Sequence, residues 1–420
     1  MPNYIVEVQP DQLQAVTSAL KGLKLPVSSP AFNHIPVAIP ESLVYRVKAL
    51  PGVVNVTPDH LTAIRRDLYV PMAVEAKFSK FIHLWASNPL TGPASALRFA
   101  IAADAGKVRI PTSVSRQMVG ADIAEAQGIT GRGIKIAVLD TGTAYDALFQ
   151  GAFIGGKSSM PGQPLGLDEV GHGTHCATTI GGKPYVSLRG LLKGVAVGAH
   201  VAAFKVLGGG LGLGFASSIL GGLQNAMDWG ADVISMSLGG LETDDYTTDP
   251  QCQVITQLTK KGIIVVVAAG NDGPGYGTIG LPGNCPDSLT VGAVNIDGAL
   301  ANFSSRGPTK AGFIKPDVVA PGVDILSTSS GYLAAMQVSD GPPSLAAISG
   351  TSMATPHCTG VVALALQYAR SLGKVLTTDH IKEAMSIYGI PEKTNEMGWG
   401  LITYSILKRY IDENMSVIPS

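Results

Sequence analysis

Charge is what this 420-residue chain has least of. Asp, Glu, Lys and Arg make up 15% of it, and 30 basic against 31 acidic residues leave a net charge of −1. So even a balance gives no electrostatic footprint for nucleic acid or an anionic membrane. Aromatic residues are scarce at 6%, but 45% hydrophobic residues are too many for a disordered chain. Long apolar runs are missing too. The most apolar stretch, 263–269, is strand-sized and falls far below the roughly 18 residues of a membrane span. Cys176, Cys252, Cys285 and Cys358 lack metal-ligand spacing, which argues against a zinc framework. Residues 1–4 lack the basic and apolar regions of a secretory signal. Glycine, by contrast, is abundant at 51 residues, which suits a tightly turned α/β chain long enough for one large or two unequal domains.

The most informative stretch is Gly350-Thr351-Ser352-Met353-Ala354-Thr355-Pro356-His357. The small residues and the apolar run at 361–366 predict a serine in the first turn of a buried helix, where backbone N–H groups favour developing negative charge. On its own Ser352 or Thr351 is equally a helix cap. Residues 134–140 form a β-branched apolar run ending in Asp140, which reads as a buried strand delivering a carboxylate at its C-terminal end. Gly171-His172-Gly173-Thr174-His175 places a histidine at the head of another helical segment. Asp140 alone would be a turn residue and His172 a cap or a core group. Taken in the order Asp, His, Ser, the three supply an orienter, a base and a nucleophile.

With five motifs in sequence, the chain resembles the subtilisin-like serine proteases, or subtilases, in precursor form. The motifs are Val138-Leu139-Asp140-Thr141-Gly142, His172-Gly173-Thr174-His175, Ser237-Leu238-Gly239-Gly240, Ala268-Ala269-Gly270-Asn271 and Gly350-Thr351-Ser352-Met353-Ala354-Thr355-Pro356. The resemblance implies a serine endopeptidase with Asp140, His172 and Ser352 as the triad. It makes the Asn271 side chain an oxyanion donor beside the Ser352 N–H, where Asn271 alone would read as a turn residue. Gly210, Leu211 and Gly212, together with Ser237, Leu238 and Gly239, are expected to grip an extended substrate by its backbone. Gly239, Ala269 and Gly270 would wall the pocket for the residue before the scissile bond, and Phe215 would line a further apolar pocket. Two other readings were weighed: an inactive subtilase-like binding protein, and an esterase, whose Gly-x-Ser-x-Gly elbow is broken here by Ala354.

The expected fold is α/β, a doubly wound parallel sheet preceded by a small α+β ferredoxin-like unit. Residues 1–66 carry a β-α-β-(β)-α-β pattern that resembles a subtilase prodomain, an intramolecular inhibitor whose tail, 61–65, lies in the substrate groove and is cut near Arg65. Residues 67–110 fit the pattern poorly and predict two short amphipathic helices, and 111–420 form the catalytic domain. Strands are predicted at 134–140, 202–207, 233–237, 263–269 and 289–294, and helices at 172–180, 217–229, 252–261, 352–372 and 378–388.

The expected partners are polypeptides and the chain's own prodomain, with no nucleic acid, no membrane and a monomeric state. No cofactor is needed for the chemistry. Structural calcium is common in the family, but 181–187 offers no cluster of carboxylates, and Asp146, Asp168, Glu169 and the acidic loop at 242–245 are the remaining donors. Cys176 and Cys358 read as buried thiols. Cys252 and Cys285, in polar turn contexts, are a candidate disulfide. The family favours an extracellular location, whereas the missing signal fits an intracellular one.

Overall fold

The structure, a computed structural model, describes residues 2–63, 109–144, 153–165, 167–240, 246–336 and 344–417. Its centre is a seven-stranded sheet in the order Val318–Pro321, Leu289–Val294, Ile264–Ala268, Val233–Met236, Lys135–Asp140, His200–Lys205, Phe153–Ser158. Every pairing in it is parallel. The inner strands are runs of Val, Ile and Ala buried along their whole length, as a sheet covered on both faces requires. Helices His172–Gly181 and Thr351–Ser371 pack together on one face, and Ala216–Trp229 and Pro250–Lys260 pack together on the other. Asp249 caps the last of these by accepting from the N–H groups of Gln251 and Cys252, with Pro250 in its first turn.

The predicted strands and helices of this unit all form, with ends shifted by a residue or two. Several elements escaped the sequence reading, among them Ala121–Ala126, Ile325–Thr328 and Leu345–Ile348. Phe153–Ser158 contains Gly155 and Gly156, which hide its strand character, and Val318–Pro321 sits among prolines and glycines. Helices Thr112–Met118 and Tyr404–Asn414 were not anticipated either. Ile110–Pro111 adds a short parallel pairing with Ile325–Thr328. The two helices expected within 67–110 and the cut near Arg65 lie outside the described residues. Cys252 and Cys285 are joined as a disulfide, and both are buried rather than in polar turns.

The N-terminal unit is an antiparallel sheet in the order His34–Ala38, Asn3–Val8, Val53–Pro58, with helices Leu13–Gly22 and Glu41–Lys48. Val27 bridges Val37 on the outer side, so the ferredoxin-like order survives with its second strand reduced to one bridge. Alternation along the central strand divides its work. Val6 and Val8 enter the small unit's own core, while Ile5 joins the large core of the catalytic unit. On that outer side, polar contacts reach the helices beneath. The Phe32 N–H donates to Gln224 (2.8 Å), His34 Nε2 donates to Gln253 Oε1 (2.9 Å), and Gln253 Nε2 donates to Glu7 (3.2 Å).

Candidate active site

Three neighbouring strands of the parallel sheet deliver Asp140, Ser237 and Asn271 at or just past their C-terminal ends, where α/β sheets collect their functional groups. His172 opens its helix directly after Gly171, whose φ of 92° suits glycine. Gly173 lets that helix approach the Asp140 strand, since a Cβ there would sit 2.1 Å from the Gly142 carbonyl oxygen. His172 Nδ1 then donates to Asp140 Oδ1 at 2.8 Å, with both side chains buried. The same carboxylate oxygen accepts the Thr141 N–H at 2.7 Å.

Ser352 lies in the first turn of the Thr351–Ser371 helix. Pro356 has no N–H to offer the carbonyl four residues earlier, so the Ser352 carbonyl is released from the helical ladder. Ser237 Oγ takes its place, donating to the Ser352 carbonyl at 2.9 Å, and Ser352 Oγ donates to the Ser237 carbonyl at 3.2 Å. Asn271 Oδ1 accepts both the Thr351 N–H and the Thr351 hydroxyl, each at 2.9 Å. A backbone N–H can only donate, so this contact fixes the amide's orientation and turns its Nδ2 donors away from Thr351. Cys176 packs under the junction, its Sγ 3.8 Å from His172 Nδ1 and 3.5 Å from the Ser352 carbonyl oxygen.

A model of the subtilase family matches residues 131–400. The chain belongs to the subtilase family of serine peptidases. It is 37% identical to the serine protease AprX of Bacillus subtilis over 282 residues, which are 63% of this chain and 62% of that protein. It is 38% identical to Subtilisin Savinase of Lederbergia lenta over 293 residues, 70% of this chain and 96% of that one. Pyrolysin of Pyrococcus furiosus is 36% identical over 276 residues, 53% of this chain and 19% of its own length. The match therefore spans less than two thirds of AprX and a small part of pyrolysin.

Asp168 holds this corner of the subtilase together, a role the sequence reading missed. Its Oδ1 accepts the Thr141 hydroxyl (2.7 Å) and the Gly171 N–H (2.8 Å), and its Oδ2 accepts the Thr174 N–H (2.8 Å) and hydroxyl (2.6 Å). One buried carboxylate thus ties the end of the Asp140 strand to the start of the His172 helix. Buried Lys205 closes the other side, donating to the Thr141 carbonyl at 2.6 Å. The signal for Asp168 is its position six residues before Thr174, an N-terminal capping arrangement spread over a loop. With four donors already on it, Asp168 does not fit a calcium site. Asp146 and the 242–245 loop are outside the described residues. Asp140, His172 and Cys176 do bring ligand atoms within 4.8 Å of one another. Burial pushes the Cys176 thiol up to about 11, which leaves it protonated and poorly suited to a metal.

The groove differs from expectation in one respect. Gly209 and Gly212, both with positive φ, make a turn in which Gly208 and Leu213 bridge. Gly210, Leu211 and Gly212 are therefore turn residues, and the extended edge begins one step later at Leu213–Phe215. The N-terminal unit's last strand, Leu61–Ala63, pairs with that edge antiparallel, Leu61 opposite Phe215 and Ala63 opposite Leu213. Leu238 is buried, and the run it begins is held by the Gly240 N–H donating to the Leu281 carbonyl at 2.8 Å. The 280–283 turn thus stands beside Gly240 and Ala269, a neighbour that the sequence reading did not single out.

Proposed function

We propose that this subtilase is a serine endopeptidase made as a self-processing precursor. Ser352 attacks the peptide carbonyl, and His172 takes its proton and later passes it to the leaving amine. Asp140 holds the imidazole in the required tautomer and stabilises its cation. Asn271 Nδ2 and the Ser352 N–H receive the oxyanion. The observation that carries this reading is the 2.8 Å Asp140–His172 hydrogen bond at the head of one helix, beside a serine in the first turn of the other. The tail strand on Leu213–Phe215 supports the precursor half, because it occupies the groove as a bound peptide would. Small walls at Gly239, Ala269 and Gly270 suit a large apolar side chain before the scissile bond.

The test is a time course of intact mass for the purified full chain beside Ser352→Ala. Two fragments from the wild type alone are expected, and their masses locate the cut. If both chains stay whole, self-processing is wrong. An active-site-directed fluorophosphonate then decides between a peptidase activated from outside and an inactive binding protein, since only the former is labelled. Peptide against ester turnover separates the peptidase from an esterase.

A further inference from the structure

Upstream of the tail strand, the groove ends in two polar groups that the proposed chemistry does not use. The first is the start of the Ala216–Trp229 helix, whose own N-cap residue, Phe215, supplies no side-chain cap. Its cap comes from another unit. Asp59 accepts the Ser217 N–H at 2.9 Å and the Ser217 hydroxyl at 2.5 Å. The second is Asp249. Its Oδ1 is spent on its own helix, but Oδ2 is buried and has no hydrogen-bond partner among the described residues. His60 faces it, with Nε2 at 3.6 Å. The Gln251 amide meets the same ring nitrogen at 3.2 Å, and Gln251 Oε1 is a second buried acceptor with no donor among the described residues.

Buried acceptors without donors are uncommon and need a reason. Of the two, Asp249 Oδ2 faces His60 of the tail, while Gln251 turns its Nε2 donor to the same ring. The backbone joins them in register, because the Ala216 N–H donates to the His60 carbonyl at 2.9 Å, extending the pairing of Leu61 with Phe215. A peptide bound in this register sets its two preceding residues on Ser217 and on Asp249 with Gln251. A helix start with a free hydroxyl donor favours a carboxylate. A buried carboxylate oxygen with no donor among the described residues favours a cationic donor beside it.

We propose that this end of the groove is a two-residue recognition site for polypeptide substrates. It takes Asp or Glu on Ser217, followed directly by His, Lys or Arg on Asp249. The prodomain's Asp59-His60 occupies it first and a substrate occupies it later. The proposal rests on the endopeptidase reading above.

The test uses the full chain, incubated until activity is constant and normalised by fluorophosphonate labelling, with three internally quenched peptides. One carries the sequence of residues 57–70. The second is its Asp59→Asn, His60→Gln counterpart, and the third is the shorter 61–70, which reaches neither group. The first is expected to exceed the second roughly tenfold in kcat/KM, mainly through KM. In the Ser217→Ala, Asp249→Asn double variant that ratio should fall to within about twofold of one. Asp249→Asn keeps the oxygen that caps its helix, and the peptide comparison needs no mutant enzyme at all. Equal cleavage of the first two peptides by the wild type overturns the recognition site alone, as does a ratio that survives in the variant. Failure to cut even 61–70, with no probe labelling, overturns the endopeptidase reading itself.

Discussion

Asp168 and Asp249 are both buried aspartates at the start of a helix, yet their surroundings differ in kind. Asp168 has both oxygens filled by donors of the catalytic unit, four in all, within the corner that joins Asp140 to His172. Asp249 has one oxygen filled by its own helix and the other turned to a residue of the N-terminal unit. Burial raises the pKa of the Asp249 carboxyl, with His60 and its own helix amides acting the other way. The corner around Asp168 is complete within its unit. The junction is complete only while something else lies in the groove.

The largest expected effect would break the corner at its centre. Ser352→Ala should lower peptide turnover by roughly 10⁶ and abolish self-cleavage, the size of loss measured when the equivalent serine is removed from subtilisin itself. Hydrolysis of 61–70 per mole of protein checks it. Asn271→Ala should cost about 10² to 10³ in kcat with little change in KM, again by the precedent of subtilisin, because its amide acts on the oxyanion.

Asp168→Ala probes whether the corner depends on its own donors. It strands two buried N–H groups and two hydroxyls, and should destabilise the chain by about 3 kcal/mol in urea unfolding. The Asp249→Ala change should cost less than half of that, since only two helix-capping bonds are lost. Equal losses would erase the contrast.

pH sharpens the comparison from another side. Burial holds His175 down at about 3 and His357 at about 4, so both are neutral in the folded corner. Their Nε2 and Nδ1 hydrogens go to carbonyls, His175 to Ile325 and His357 to Met353. The unfolded chain takes up protons there below the ordinary histidine value of about 6.5, while the folded chain does not. Stability is therefore fully present above pH 6.5 and is lost as pH falls toward 4. Urea midpoints at pH 7 and pH 5 should show the drop, and His357→Gln should reduce it. The smallest effect belongs to the junction. Gln253→Ala removes the bridge between His34 and Glu7, and activity should appear about fivefold sooner after processing of the full chain.

Much of the catalytic unit is legible in the sequence because its strands are buried on both faces. A run such as 263–269 has no other stable place, and its period and length mark it as a strand without help from neighbours. The disordered pattern of Phe153–Ser158 carries no such mark, and only pairing with His200–Lys205 makes it a strand. The candidate triad was legible because each of its residues sits in a short motif whose local geometry is fixed by glycine. Asp168 was not, since its role is defined by Thr141 and Thr174, which chain topology brings to it.

What the sequence by itself determined was the set of elements, the family and the residue types that carry the chemistry, all properties written in local pattern. Only the tertiary structure decided where the extended edge begins, because two positive-φ glycines turn the chain before Leu213. It also decided which buried carboxylate is satisfied at home and which waits for a partner. Hydrogen-bond satisfaction depends on groups far apart in the chain, and no local pattern records it.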